Sequence, residues 1–347
     1  MNAPGLATRS ERAVDRRVVT VRAPGRLHLG FLDPGGSLGR RYGSLGLVVD
    51  GFETRVDLSG AVADRVTAAT PAAQPDVVRA ELHLKALRRQ TGLHEPLHLH
   101  LESVLPAHAG FGSGTQLALA VGRAFAMWHG LDVASATLAR WLGRGLRSGV
   151  GIGGFDHGGL LVDGGPGADG QPAPVLSRVA LPDDWRVVVV LDLQHHGLSG
   201  QEEKQAIAAL PPMPQAVAAD ICHQVLMRVL PGAACAEFAS FAAGITRVQQ
   251  QLGAHFAPAQ GGESYTSTAV GRLVRWFGEA AGGESGAAIG QSSWGPTGFA
   301  ILPSQHRAET LVEAARVAQR VAPSLQVRIV SGRNRGAMLE DGRGVPA

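Results

Sequence analysis

The residue types best suited to chemistry gather in one stretch, Leu105-Pro106-Ala107-His108-Ala109-Gly110-Phe111-Gly112-Ser113-Gly114-Thr115-Gln116, which runs straight into the apolar segment Leu117–Gly122. Alternating glycines let backbone amides approach an anion with no Cβ in the way. The start of a helix adds unpaired N–H groups and the positive end of the helix dipole. Together these predict a phosphate cradle, with Gly110, Gly112, Ser113, Gly114, Thr115 and Gln116 as candidate contacts. No Gly-Lys-Ser/Thr follows, so this is not a Walker loop, and the glycine spacing does not give G-x-G-x-x-G. An ordinary glycine-rich turn ahead of a helix has the same composition.

Other candidates are more scattered. Arg26 and His28 sit two apart after the strand-like Val18–Val21 and a Pro24-Gly25 turn; on extended backbone they share a face and suit a phosphate or carboxylate. The loop Asp33–Gly46 carries Arg40 and Arg41 among glycines. Asp156 lies in the glycine-dense Arg147–Gly165, a composition that predicts tight backbone packing near a ligand. Asp163, ahead of Gly164-Gly165, reads as a turn residue. His98 and His100 share one face of the alternating strand Pro96–Leu101, but no third metal ligand is near, so a wet strand face is expected. His195 and His196 stand in a loop whose Ser199 is placed to cap a following helix.

The positioning elements follow from periodicity. Strands are expected at Leu47–Val49, Glu53–Leu58, Trp185–Leu191 and Leu325–Val330, with a further strand after the small-polar turn that begins at Gln291. Helices are expected over Asp76–Thr91, Gln116–His129, Val133–Arg147, Gln215–Leu230, Ala233–Leu252, Ser267–Ala281 and Gln305–Val321. Ala61–Pro75 reads as a connector, and the Pro/Gly-rich stretch Gly164–Pro182 as a domain boundary. Irregular alternation of strands and helices favours α+β over a doubly wound sheet.

Bulk properties narrow the partners. With 32 basic and 29 acidic residues in 347, the net charge of +3 suits a small anion and shows no long basic run that would call for nucleic acid. Cys222 and Cys235 have neither zinc nor redox spacing and read as reduced thiols of a cytoplasmic protein. No apolar run reaches membrane-spanning length, and Met1–Arg17 is a polar tail without an apolar signal core.

Ala23-Pro24-Gly25-Arg26, the loop Pro106–Gln116 and the turn Gln291–Ala300, in that order, resemble the GHMP kinase superfamily, named for its galacto-, homoserine, mevalonate and phosphomevalonate kinases, over about Val18–Ile329. The resemblance implies an α+β fold of two domains: a flexible tail at 1–17, an N-terminal domain at 18–182 like domain 2 of ribosomal protein S5, and a ferredoxin-like C-terminal domain at 183–347. The kinase loop usually reads Pro-x-x-x-Gly-Leu-Gly-Ser-Ser; here Phe111 follows the first glycine and Gly114-Thr115-Gln116 follows Ser113. With Arg26-Leu27-His28-Leu29, Ser37-Leu38-Gly39-Arg40 and Ser292-Ser293-x-Gly295-Pro296-Thr297, this variant resembles the β-ribofuranosylaminobenzene 5′-phosphate synthase branch, of tetrahydromethanopterin biosynthesis.

That branch implies pentosyl transfer rather than phosphoryl transfer. Phosphoribosyl pyrophosphate joins 4-aminobenzoate with release of pyrophosphate and CO2, using Mg2+ and no ATP. Arg26, His28 and Arg40 would then hold anions, and Asp156 would stabilise positive charge or bind metal or ribose hydroxyls. Ser113 would join Asp156 on the metal, and Ser292, Ser293, Gly295 and Thr297 would form the facing wall. A cytoplasmic homodimer is implied. The rivals are an ATP-dependent small-molecule kinase and a non-catalytic ligand sensor on the same scaffold.

Overall fold

The computed structural model describes residues 17–342 except 168–169, 196, 198–204 and 207–208. Strands β1 (Val18–Asp33) and β2 (Tyr42–Gly60) form one long antiparallel hairpin. The expected Pro24-Gly25 turn is instead a bulge inside β1, where the register shifts between Pro24 and Arg26, and a second shift follows between His28 and Gly30. Bulges re-aim side chains without ending a strand. For the same reason the two short strands expected at 47–49 and 53–58 are one strand. The connector contains β3 (Arg65–Ala68), which pairs in parallel with β4 (Leu97–Ser103).

Helix α1 (Gln74–Thr91) ends at Gly92 in the left-handed conformation. Helix α2 (Ser113–Trp128) starts three residues earlier than expected and is buried on nearly all sides. Helix α3 spans only Ser135–Trp141; the chain then turns back through Arg144 and Arg147 rather than continuing as helix to 147. Within the glycine-dense stretch the chain forms a helix, α4 (Val150–His157). Strands β5 (Leu160–Asp163) and β6 (Val175–Val179) complete the lower part of the sheet, β5 pairing with the first half of β2 while β4 pairs with its second half.

The second sheet has the order β10 (Leu325–Ser331), β7 (Arg186–Asp192), β9 (Thr297–Leu302), β8 (Ala288–Gln291), all antiparallel. Its helices are α5 (Gln215–Gln224), which continues through a π turn at Val225–Val229 into α6 (Leu230–Ala234), then α7 (Phe238–Phe256), α8 (Thr268–Ala280) and α9 (Gln305–Val317). Ser267 caps α8 by accepting from the Val270 N–H. A last strand, β11 (Met338–Gly342), returns to pair with β1, so the first sheet takes residues from both sides of the expected boundary at 182.

Burial explains the layers. Helices α1–α4 cover one face of the first sheet, through Val19, Val21, Val56, Leu58, Leu97, Leu99 and Leu101. The opposite face, with Leu27, Leu29, Leu45 and Leu47, packs against Val187, Val189 and α5–α7 of the second half. A third apolar cluster joins Val188 and Val190 to α8 and α9. The glycine-rich loop between β4 and α2 therefore emerges where the two halves meet.

Candidate active site

The loop is pinned by its one large side chain. Phe111 is fully buried and stacks on Phe52 of β2, ring centroids 4.3 Å apart. Gly110 (φ +88°) and Gly112 (φ +75°) adopt left-handed backbone that a residue with a side chain tolerates poorly. Two other segments close on it. The Arg26 N–H donates to the Phe111 carbonyl (3.1 Å) and Arg26 Nη1 to the Gly110 carbonyl (2.8 Å). Ser292 Oγ donates to the same Gly110 carbonyl (2.8 Å) and accepts from the His28 N–H (2.9 Å). The three motifs that stand far apart in sequence are thus one hydrogen-bonded unit.

Arginines surround the end of α2. A side chain begun at Gly112 would meet the Arg26 guanidinium at 2.8 Å. One begun at Gly114 would meet Arg79 Nη2 at 3.0 Å and Arg144 Nη1 at 3.3 Å. Gly112 precedes the helix without any side-chain cap, so the first N–H groups of α2 keep their outward aim. Guanidiniums and a helix N-terminus around an open backbone make a site for a multiply charged anion. Gly151 of α4 faces the same end of α2, with Thr115 Cγ2 3.1 Å from where a Cβ would be.

His28 is buried beside this group, and its two ring nitrogens have no hydrogen-bond partner among the described residues. Burial, then the charges of Arg26 and Arg147, hold its pKa well below the ordinary histidine value. At neutral pH it is an uncharged imidazole, able to offer one N–H and accept one hydrogen bond but not to add positive charge. Its ring meets Phe31 edge-on at 4.6 Å, and Phe31 in turn meets Tyr42.

Two cavities stand out, and the second of them is lined in part by the loop's Pro106, Ala107 and Ala109. One of about 360 Å3 is lined by Arg41, Tyr42, Arg147, Met213, His255 and Phe256, and a small crevice reaching His28 and Trp294 shares Phe256 with it. Its aromatic and arginine walls suit a planar anion. The other, about 380 Å3, lies between Phe52, Pro106, Asp192, His195, Thr297 and Arg328. There His195 Nδ1 sits 2.9 Å from Asp192, whose carboxyl burial pushes up; hydrogen bonds from Ser267, Gln194 and His195 outweigh burial and hold it below the usual carboxylate range.

The expected site residues divide accordingly. Arg26, His28, Gly110, Gly112, Ser113, Gly114 and Thr115 come together at the loop. Ser292 does not face a ligand: it is fully buried and staples the loop to β1. Gly295 fits against the Ala109–Gly110 backbone, and Ser293 donates its N–H to the His28 carbonyl. Thr297 is buried, with an Oγ1 that has no partner among the described residues, at the wall of the 380 Å3 cavity. Gln116 is buried and turned inward, its Nε2 donating to the Gly151 carbonyl. Arg40 is exposed and donates to the Gly165 carbonyl; the neighbouring Arg41 lines the cavity instead.

Asp156 is not brought to the loop. It lies at the C-terminal end of α4, exposed, and accepts from Ser135 Oγ, which itself accepts from Arg123 on α2. Arg123 is eight residues beyond Thr115, about 12 Å along the helix. Ser113 and Asp156 therefore do not share a metal. Among the described residues no three His, Cys, Asp or Glu side chains are grouped to hold one. The arginine-faced loop does not fit a resident Mg2+, which takes oxygen ligands from carboxylates, carbonyls and water.

The remaining candidates have structural places. Asp163 is fully buried and accepts from the Gly149, Val150 and Gly165 N–H groups, so it holds the start of α4 rather than merely a turn. Burial pushes its carboxyl up. His98 and His100 both meet Thr67 Oγ1 at 2.8 Å, on a half-buried strand face. His196 and Ser199 lie outside the described residues. Sequence reasoning missed Arg79, His83, Arg144 and Arg147. Arg79 and His83 at i and i+4 on α1 were a legible signal, but nothing local shows that this face meets α2.

Comparisons with known proteins bear on the family and the fold. Residues 77–160 match the GHMP kinases N-terminal domain and residues 237–318 the GHMP kinases C-terminal domain. The chain is 32% identical over 301 residues to a β-ribofuranosylphenol 5′-phosphate synthase of Archaeoglobus fulgidus, covering 83% of this chain and 88% of that one. It is 27% identical to the protein of the same name from Methanothermobacter thermautotrophicus, covering 92% and 98%. Among solved structures, mevalonate diphosphate decarboxylase from Staphylococcus aureus superposes with a TM-score of 0.67 at 12% identity, covering 93% of this chain and 98% of that one. Homoserine kinase from Cytophaga hutchinsonii gives 0.63 at 16%, covering 97% and 100%; both likenesses concern the fold alone. With the motif variant meeting at one loop and a relative 32% identical over most of its length, the chain belongs to the GHMP kinase superfamily, in the enzyme family of the β-ribofuranosylphenol 5′-phosphate synthases.

Proposed function

We propose that the protein is a decarboxylating pentosyltransferase, joining phosphoribosyl pyrophosphate to a para-substituted benzoate with release of pyrophosphate and CO2. The observation that carries this reading is the character of the loop: arginines at Gly112 and Gly114, and on α4 a glycine, Gly151, where a side chain would face the end of α2. The site is built to take up negative charge and presents no carboxylate base from α4. A kinase gains from a base that removes a proton from its acceptor hydroxyl. The ribosyl transfer needs none.

The atoms balance without one. The bond from ribose C1 to the pyrophosphate oxygen breaks and its electron pair leaves with the pyrophosphate. The ring carbon bearing the carboxylate bonds to C1. The C–CO2 bond then breaks, and its electrons restore the aromatic ring. An amino or hydroxyl group para to the carboxylate feeds electron density to the attacking carbon. The sequence resemblance implies 4-aminobenzoate; the name of the relatives, a ribofuranosylphenol 5′-phosphate synthase, points to 4-hydroxybenzoate. Magnesium enters with the pyrophosphate, as part of the substrate.

The 360 Å3 cavity supports placing the arene there, between Tyr42 and Phe256 with Arg41 and Arg147 at hand. Incubation of the protein with phosphoribosyl pyrophosphate and either benzoate, labelled in the carboxyl group, is expected to release labelled CO2 without ATP; the faster of the two identifies the acceptor. ADP formation from ATP, with no CO2 from either benzoate, would establish the kinase reading instead.

A further inference from the structure

The end of α2 has a second basic side that the loop motif does not include. Arg79 and His83 lie one turn apart on α1, and Arg144 follows the turn after α3. Both guanidiniums approach Gly114. Arg79 is paired with Asp76. Arg144 has no carboxylate partner among the described residues, and its Nε is buried without a hydrogen bond. His83 is 8% exposed and its Nε2 also lacks a partner among the described residues. Burial, then Arg144 and Arg79, lower its pKa to about 4, so it is neutral at pH 7. Burial and the neighbouring Arg79 also lower the Arg144 pKa, although an arginine keeps its proton.

A desolvated guanidinium set beside another costs stability and is sustained only where something else compensates. Asp76 compensates Arg79, but no carboxylate among the described residues compensates Arg144. Gly112, the residue that precedes the helix, faces Arg26, whereas Gly114 in its first turn faces Arg79 and Arg144, so two separate basic groups meet the helix start. The arene cavity, with Arg147, belongs to the His28 side.

We propose that Arg79, His83 and Arg144, with the first N–H groups of α2, form the subsite for the departing diphosphate, across the helix end from the arene. The assignment of the anion as the leaving group rests on the ribosyl-transfer reading. Displacement from the opposite face of ribose C1 requires the acceptor and the leaving group to stand on opposite sides of the sugar, and the two separate basic groups at the start of α2 provide that separation. His83, neutral, donates its one N–H to a phosphate oxygen.

Calorimetric titration of the full chain with inorganic pyrophosphate tests the site directly. Arg144→Met is expected to weaken pyrophosphate at least tenfold while the melting temperature holds or rises, because an uncompensated charge has been removed. His83→Gln, the milder change, is expected to weaken it about threefold. A pyrophosphate affinity within twofold of wild type in both folded variants overturns the proposal. So does a wild-type affinity for sulfate equal to that for pyrophosphate, the result of an adventitious ion only. If labelled CO2 is not released but pyrophosphate still binds through Arg144, the transferase reading fails and the anion site stands.

Discussion

Two stretches of this chain have nearly the same glycine density and opposite purposes. Between Gly110 and Gly114, positive φ at two glycines opens the backbone and the flanking guanidiniums face it. Between Gly149 and Gly154, the φ values are not of that kind, and the glycines form a helix that sits against its neighbours: a Cβ on Gly153 would lie 2.6 Å from Val175, and on Gly154 2.8 Å from Val48. In the first stretch glycine serves backbone conformation, leaving the peptide open to the arginines. In the second it serves packing, letting α4 approach the sheet. Glycine content alone does not separate the two; the dihedrals and the neighbours do.

Substitutions sharpen the contrast. The largest effect is expected from Gly110→Ala. Its Cβ would fall 2.6 Å from the Ser292 carbonyl oxygen, on backbone with φ +88°, so the loop must shift away from the turn that holds it. A fall in kcat/KM of about 100-fold, or about 2.7 kcal/mol of transition-state stabilisation, is expected in steady-state kinetics. Wild-type kinetics would mean that the loop does not shape the site. Gly154→Val should act on the other quantity. Its branched side chain overlaps the buried Val48 and Leu161, and a loss of about 1–3 kcal/mol in urea unfolding is expected, with KM for phosphoribosyl pyrophosphate unchanged. A raised KM at unaltered stability would reverse the roles assigned to the two stretches. The smallest effect belongs to Asp156→Asn, because that carboxylate is held by Ser135 at the far end of α4. kcat/KM is expected to stay within about twofold; a large loss would restore Asp156 to the chemistry.

Much of the fold was legible because it follows local pattern. The leucine alternation of Leu97, Leu99 and Leu101 predicts β4 and its buried face, and Gly92 marks the end of α1. The glycine-rich loop was legible for the same reason: its glycines and the helix after it are adjacent in sequence. Asp156 misled because it is near the loop in composition but not in space. A helix of eight residues was hidden under glycines whose poor helix propensity, about 1 kcal/mol each against alanine, was overruled by packing on the sheet. Arg144 escaped notice because the expected helix Val133–Arg147 stops at Trp141, and only that early stop returns it to α2.

By itself the sequence determined the longer elements, the loop and the family, since hydrophobic period, turn residues and motif order are properties of neighbours along the chain. The tertiary structure decided which charges stand together. Arg26 meets Gly112, and Arg79 and Arg144 meet Gly114, across sequence separations that no local rule spans. It also decided that His28 is neutral, because only burial among other cations tells an imidazole not to take a proton.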